Sequence, residues 1–592
     1  MATTLGRHLV DAALPVGWRG RGVLTKPTLN EMLVGIAKAH PNHYPTVVTA
    51  LKRVGDEMAT LDGISVGLDD IAPHIEARNA ALQPHADAFR RATTSADKDK
   101  ALAGGFDAML TLAKKHPGAM GDMVRSGGRG NAAQLMRTVG APVMVQDSKG
   151  RTVPWLIDRS FSEGLKPADA WVAGGEARKN AVLSNISVVE PGDLAKILVN
   201  NMGDQLVTMQ DCKTKNGISM LGTDPHLIDR YLTDGRLVTP QVASQLSKEN
   251  KSVIVRSPMT CEAHHGVCQK CHGLDNAGNL HPIGTNVGVR AAQALSEPLT
   301  QFSLNAKHGG RVASADDEKR LEGIKGVRAL LEIPTSFAHK AVLARQDGTI
   351  TNVVKAPQGG HYVHIDAAQH YVAPEHHVSV SAGQSVYAGD MLSDGVPRPD
   401  EVVMYKGLGE GRRYLVDALA DVYKRAGSEV DKRHLETLAK STLNHVQIID
   451  PGHDDAFIKG DIVNYNRFNA ALAASRQHVP LHDAIGETLA KEVLHHTTGT
   501  TITQPIADQL AKHGITSVSI ANAGPRAIPI ARAASRTPLL NPDWMARLAH
   551  RYLKESLLMG IHRGDVSNLH GASPIPGYAA GTEFGLGEDG GY

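Results

Sequence analysis

The sequence predicts a mixed α/β multidomain protein, mostly helical, and three observations predict it. Apolar residues recur at helical spacing in stretches such as ADAFRRATTSADKDKALAGGFDAMLTLAKKH (86–116) and YLVDALADVYKRAG (414–427). Between about Leu331 and Ser393 the pattern changes to short β-like runs, of which HVSVSAGQSVYAGDML (377–392) is the plainest. The length of 592 residues corresponds to roughly three to five structural units.

In chain order, the segment to about Gly67 reads as helices broken by Pro15, Pro27 and Pro41. GISVGLDD (Gly63 to Asp70) is a turn leading into two charge-laced helices. A turn near Thr94–Ser95 folds these two into a helical hairpin. The Gly-rich loop SGGRGN (Ser126 to Asn131) then opens a helix at AAQLMRTVG. From Phe161 to Val207 the pattern is helical again, and Pro191-Gly192 is expected to kink or break any single long helix at Glu190. After the β-like stretch the chain returns to helices. Leu415, Leu419 and Val422 fall on one face, with Gly427 as the stop signal. A helix over PDWMARLAHRYLKESLLMG closes the globular part before a Gly-rich tail from Gly571.

Composition excludes several classes. The hydrophobic fraction of 42% with 21% charged residues is that of a globular protein, not a disordered one. With 63 Lys+Arg against 61 Asp+Glu the formal net charge is +2, which excludes a polyanion grip spread over the whole surface but not local basic patches. No apolar run approaches the roughly 18 residues a membrane helix needs. MATTLGRHLVDAALP lacks the long apolar stretch of a signal peptide. Four cysteines in this length do not make a disulfide scaffold; they fit a reducing cytoplasm, the expected location.

Three of the cysteines form C-x6-C-x2-C in MTCEAHHGVCQKCHG: Cys261, Cys268 and Cys271. The tight turn of the C-x2-C pair, with Gly266 and Gly273 around it, lets two thiolates reach one zinc ion at about 2.3 Å. A closed structural zinc site needs four ligands. Either Cys212, the one cysteine left, completes it, or Cys212 is a small buried apolar residue and His264, His265 or His272 does. A redox C-x2-C would have no use for the third cysteine upstream.

Beside this cluster stands VGVRAAQALSEPLTQFSLNAKHGG (Val287 to Gly310). It resembles the start of the trigger loop in the β′ (largest) subunit of multisubunit RNA polymerases, where GVIAAQSIGEPGTQ precedes a helix ending in His-(x)-Gly-Gly. SFSEGLKPADAWVAGGEARKNAV (Ser160 to Val182) resembles the start of that family's bridge helix. GISVGLDD and SGGRGNAAQ resemble its secondary-channel segments. VSAGQSVYAGDMLSDG, RRYLVDALADVYKRAG and FIKGDIVNYNRF resemble its C-terminal cleft and clamp-anchoring part. The similarity is collinear over most of residues 60–570.

The resemblance implies RNA polymerase β′ C-terminal architecture. It assigns 1–66 to a secondary-channel pore or funnel segment, 67–157 to the funnel helical hairpin and channel loop, and 158–210 to the bridge helix region. Residues 211–285 become the zinc-binding region, 286–330 the trigger loop and 331–400 a β-rich cleft or jaw module. Residues 401–570 become the C-terminal cleft and clamp-anchoring helices, and 571–592 a tail. It makes Cys212, Cys261, Cys268 and Cys271 the ligands of one structural zinc, since the bacterial subunit takes its fourth ligand from the cysteine after the bridge helix. His308 becomes the trigger-loop histidine that closes on the nucleotide's phosphates as positional catalyst or proton donor. Leu304 stands where the family packs the nucleotide base, and Gln301 two turns before His308 on the same helix face. Arg129 matches the channel arginine that contacts the triphosphate.

Departures from the family matter equally. Asn305 stands in place of the trigger-loop arginine, so a phosphate contact is lost or passes to Lys307 or Arg311. In VVEPGDLAKIL (Val188 to Leu198), Val188 and Val189 can still pack on the template base pair, but Asp193 replaces an aromatic and Ile197 an arginine. The NADFDGD-type loop whose aspartates hold catalytic magnesium does not occur. The expectation is therefore a β′ C-terminal half whose magnesium is bound by a partner chain. Its partners would be an N-terminal β′ chain, β-like chains, a promoter-specificity factor, DNA template, RNA transcript and NTPs, with no membrane. Only RVASADDEKRLEG separates Gly310 from Ile324, which points to a split, bacteriophage-encoded version, packaged in the virion or not. The alternative is a catalytically silent, polymerase-derived protein that binds and regulates a host enzyme.

Overall fold

A computed structural model describes residues 4–20, 22, 24–63, 65–147, 151–250, 252–308, 323–337, 339–452 and 456–541, with positions 558, 561–562 and 564. The described residues form two units, one of residues 1–186 with 307–312, the other of 187–306 and 313–592. The fold is mixed helix and strand, with helix the larger share at 47%.

The first unit is helical. Helices α1 (Leu5–Ala13), α2 (Lys26–Ala39) and α3 (Tyr44–Asp62) close over Leu14, Met32, Ile36 and Val47. Pro27 lies in the first turn of α2, so it starts that helix instead of breaking it: its missing N–H is one that a helix start leaves unpaired anyway. The expected hairpin is present as α4 (Ile75–Arg91) and α5 (Ser95–Lys114), with Thr94 accepting from the Asp97 N–H at 3.1 Å as N-cap. Leu82, Leu102 and Met109 of the hairpin pack with Leu135, Met136 and Val139 of α7 (Ala132–Val139), which follows α6 (Gly118–Ser126). The buried Arg78 guanidinium pairs with Glu163, tying the segment before the next helix to α4.

That next helix, α8 (Pro167–Met202), continues through Pro191 as one helix, so of the expected kink or break the break does not occur. Proline removes one N–H bond and costs a helix interior about 3 kcal/mol. Leu194, Leu198 and Met202, at i, i+4 and i+8 beyond it, are fully buried in the second unit. Each such side chain contributes about 1.5–3 kcal/mol, so packing outweighs the lost bond.

The second unit begins with β1 (Val207–Met209), β2 (Ile218–Leu221), α9 (Pro240–Lys248), β3 (Ser252–Val255), β4 (Val267–Cys268) and α10 (Gln269–His272). Next come α11 (Val287–His308) and α12 (Gly323–Glu332). β5 (Gly348–Lys355), β6 (His361–Ile365), β7 (Ala368–Val372) and β8 (Ser385–Val386) form an antiparallel sheet of order β7-β6-β5-β8. The β-rich region is thus where the sequence put it, but most of the sheet comes from 348–372 and only Ser385–Val386 from the run at 377–392. α13 (Pro399–Arg425) and α14 (Lys432–Thr442) follow. Leu415, Leu419 and Val422 of α13 are buried as expected, against Leu295 and Leu299 of α11, Leu330 of α12 and Leu435 of α14.

Beyond α14 the chain is not purely helical. β9 (His445–Asp450) is the centre of the sheet β10-β9-β13, with β10 (Ile462–Asn464) and β13 (Arg526–Ile530). Helix α15 (Tyr465–Ala471) leads to β11 (Arg476–Pro480), which pairs with β12 (Ser517–Ala521), and α16 (Gln504–Lys512) lies between those two in sequence. The expected closing helix at 542–560 and the tail from Gly571 lie outside the described residues apart from isolated positions. Among the described residues no helix is long and apolar enough to cross a membrane.

Candidate functional site

The four cysteines converge. β1 and β4 pair in parallel, Val207 opposite Val267 and Met209 opposite Cys268. Parallel strands leave a ladder at the same end, so the chain that exits β1 toward Cys212 emerges beside the turn carrying Cys268 and Cys271. Gly266, at φ 62°, lies against the Leu206 carbonyl oxygen. A Cβ there would meet that oxygen at 2.1 Å, so no other residue allows the approach. Cys268 caps α10, its sulfur accepting from the Cys271 N–H at 3.3 Å, and the Cys268 N–H donates to the Cys261 sulfur at 3.2 Å.

The Cys212 sulfur lies 3.6 Å from those of Cys268 and Cys271 and 3.8 Å from that of Cys261. No disulfide joins them. Four thiolates held tetrahedrally by one zinc at about 2.3 Å would stand about 3.8 Å apart, so the sulfur set fits such an ion. Contacts among the four thiols push Cys212 and Cys268 down and Cys261 and Cys271 up. The candidate histidines stand apart: His264 and His265 meet edge to face, and His272 meets His281 edge to face with ring centres 4.7 Å apart.

The groups around the sulfurs carried no spacing signal in the sequence. Arg256, buried, sits above three sulfurs and pairs with Asp211 at 2.7 Å. Lys270 reaches the other Asp211 oxygen at 2.9 Å. From α14, the buried Lys440 donates to the carbonyls of Cys261 at 3.3 Å and Gly266 at 3.0 Å, holding the loop between them. A bidentate pair of fully buried groups, Arg230 and Glu436 at 2.6 and 2.8 Å, anchors α14 to the preceding loops.

The remaining predicted site residues lie on two helices and one loop. Val188 and Val189 stand in the middle of α8; Val189 is 67% exposed, and the Val188 side chain lies outside the description. Gln301, Leu304, Asn305, Lys307 and His308 form the last turns of α11, with His308 its final residue; their side chains lie outside the description. Arg311 lies outside the described residues. Arg129 is exposed in the loop joining α6 and α7, just before the N-cap Asn131, which accepts from the Gln134 N–H at 2.8 Å. Of the two family departures in α8, Asp193 pairs with Arg328 at 2.8 Å and Ile197 packs on the core of the second unit.

A second polar cluster joins Glu410 of α13 to His495 at 2.6 Å, beside His496. Arg413 stands 3.1 Å from the same His495 nitrogen and 3.4 Å from Glu410. A guanidinium already occupies the position a cation would need, so this is a charge-paired brace. Burial works to raise the Glu410 carboxyl, but His495 and Arg413 outweigh it and hold the group down at about 2.

Residues 164–517 match the family model described as RNA polymerase Rpb1, domain 5. The chain is 28% identical over 533 residues to the DNA-directed RNA polymerase subunit beta′ of Clavibacter sepedonicus and 27% identical over 537 residues to that of Micrococcus luteus. To the subunit from Chloroflexus aggregans it is 25% identical over 600 residues. These matches take in 79–80% of this chain and 40% of each relative, so the chain spans about 40% of the length of the relatives it matches.

Proposed function

The chain belongs to the RNA polymerase Rpb1 domain 5 family, and from that premise we propose that it is the C-terminal part of a bacterial-type β′ subunit working in a DNA-directed RNA polymerase. The observation that carries this reading is the match over 164–517, which contains α8, all four cysteines and the whole of α11 and runs on through α13 and α14.

In this reading α8 is the bridge helix and α11 the first arm of the trigger loop, and the domain boundaries set out from the sequence apply. Magnesium, which would be held by the aspartates of the NADFDGD-type loop outside this sequence, would supply the charge stabilisation at the transferring phosphoryl group. This chain's residues position the nucleotide. His308 is the last described residue of α11, and an imidazole there can donate a hydrogen bond or a proton to the phosphates near neutral pH. Leu304, one turn earlier, packs on the base, and Gln301 lies one turn before that. Arg129, Lys307 and Arg311 carry the positive charge for the triphosphate, Asn305 having given it up. Val189, exposed on α8, and Val188 beside it offer the apolar face for the template base pair. Zinc, when bound by Cys212, Cys261, Cys268 and Cys271, cross-links the loops between α8 and α11 and so fixes the spacing of the two helices in the chain.

We assign the partners to the N-terminal β′ sequence that carries the NADFDGD-type loop, β-like chains and a specificity factor, and the system to a phage-encoded polymerase. The short stretch between Gly310 and Ile324 supports the last point. The test is affinity purification of the tagged chain from the cells that make it, with mass spectrometry of what co-purifies. Chains carrying the NADFDGD-type loop and β-like sequences are expected. An intact host polymerase, whose own β′ already carries a bridge helix and trigger loop, with no further β′ or β-like chains beside it, would instead support the silent regulatory protein.

A further inference from the structure

We propose that Arg256 is an outer-sphere ligand of the four-cysteine centre, donating from its guanidinium to the metal-bound sulfurs and slowing release of the ion; the proposal rests on the reading of that centre as a zinc site. One nitrogen, Nη2, lies 3.3 Å from the sulfur of Cys212, 3.4 Å from that of Cys271 and 3.5 Å from that of Cys268. The same nitrogen is 2.7 Å from Asp211 Oδ1. It carries two hydrogens, enough for one directed at the carboxylate and one at the face formed by three sulfurs.

The charge count supports a thiolate acceptor. The Arg256 side chain is only 3% exposed, and burying a guanidinium costs several kcal/mol unless anions compensate it. Asp211 cannot do so alone, because Lys270 holds its other oxygen at 2.9 Å. Two cations share one carboxylate, so the remaining positive charge faces the sulfurs. Four neutral thiols would leave it unmatched. A zinc tetrathiolate, with two net negative charges, matches it.

The geometry also explains why arginine stands here. The guanidinium projects past Asp211 to a position over three sulfurs at once, and its planar fork fixes that position, whereas an ammonium is a point charge that would settle on the nearest anion. A donor to bound thiolate draws electron density from sulfur, lowers the local negative charge and makes protonation of a departing thiolate less easy. Asp211, adjacent in sequence to the ligand Cys212, orients the guanidinium. Partners of this kind typically change metal affinity 10–100-fold when removed.

The experiment uses the full chain and its Arg256→Gln and Arg256→Lys variants. Zinc content is measured first, then the rate of zinc transfer to a chromogenic chelator, then the sulfur-to-metal charge-transfer band after cobalt(II) replacement. The wild type should hold one zinc per chain. Arg256→Gln should release it about 10–100-fold faster, with the cobalt band moved to longer wavelength, because sulfurs without the donor give up an electron more easily. Arg256→Lys should fall between the two in both readouts, and it carries the test if the glutamine variant does not fold. Unchanged release and an unchanged band in the variants, with zinc present in the wild type, would overturn the role of Arg256 alone. A wild type that binds neither zinc nor cobalt would overturn the metal centre and this proposal together.

Discussion

Asp193 on α8 forms an ion pair with Arg328 on α12 at 2.8 Å, joining the long helix to the first described helix beyond α11. Asp193 stands where the resemblance would place an aromatic, so the substitution has exchanged a stacking surface for a charge with a partner.

Both members of that pair are partly exposed, 47% for Asp193 and 39% for Arg328. A solvent-screened pair of this kind contributes about 0.2–1 kcal/mol. A double-mutant cycle with Asp193→Asn and Arg328→Gln, read by chemical denaturation, should give a coupling energy in that range that shrinks in high salt. A coupling above about 2 kcal/mol would mean that the pair is buried in the assembled protein.

Cys212→Ser should lower zinc occupancy as severely as Cys268→Ser. A closed tetrahedral site that loses any thiolate keeps an open, weakly held position. Full zinc occupancy in the Cys212 variant, measured by elemental analysis, would require a histidine as the fourth ligand.

Stability should fall as the pH drops below neutral. His445 is pushed down to about 4 by burial, aided by Arg532, and His496 to about 4 by burial, aided by His495. Their pKa values are depressed on folding, so the unfolded chain takes up protons first. The stability they contribute is complete above about pH 6.5 and is lost progressively as the pH falls toward 4. Thermal denaturation between pH 7.5 and 5.5 should show a declining midpoint, and His496→Gln should flatten the slope. An unchanged slope in that variant and in His445→Gln would place the pH dependence elsewhere.

The helical hairpin at 75–114 and the buried face of α13 were legible because one apolar stripe at a 3.6-residue period dictates each. The four cysteines were legible because metal ligation imposes spacing. Arg256 was not, since a residue five positions before Cys261 meets the sulfurs only through folding of β3 and the turn after it. At Pro191 the local cost was legible, but whether the helix breaks was not, because the burial of Leu194, Leu198 and Met202 that holds it together is a tertiary fact. The strands β9 to β13 are only three to six residues long, too short for their pattern to stand out beside the long helical periods of α13 and α14.

If the proposed function holds, His308→Ala should slow nucleotide addition by the assembled enzyme by about 10²–10⁴, with assembly and DNA binding intact, because that reading has the end of α11 act on the transition state and not on subunit packing. His308→Gln should be much milder if the imidazole only positions the phosphates, and as severe as alanine if it gives up a proton. An unchanged single-nucleotide rate in the alanine variant would mean that this loop, already without an arginine at Asn305, no longer takes part in catalysis.

Template-directed RNA synthesis tests the central claim most directly. It is measured on the isolated chain, on the complex purified through it, and on the partner chains alone. The complex should extend RNA, while the isolated chain and the partners without it should not, since in the proposed reading one lacks the magnesium-binding aspartates and the other the bridge helix and trigger loop. RNA synthesis by the isolated chain, or full activity of the partners in its absence, would contradict the account.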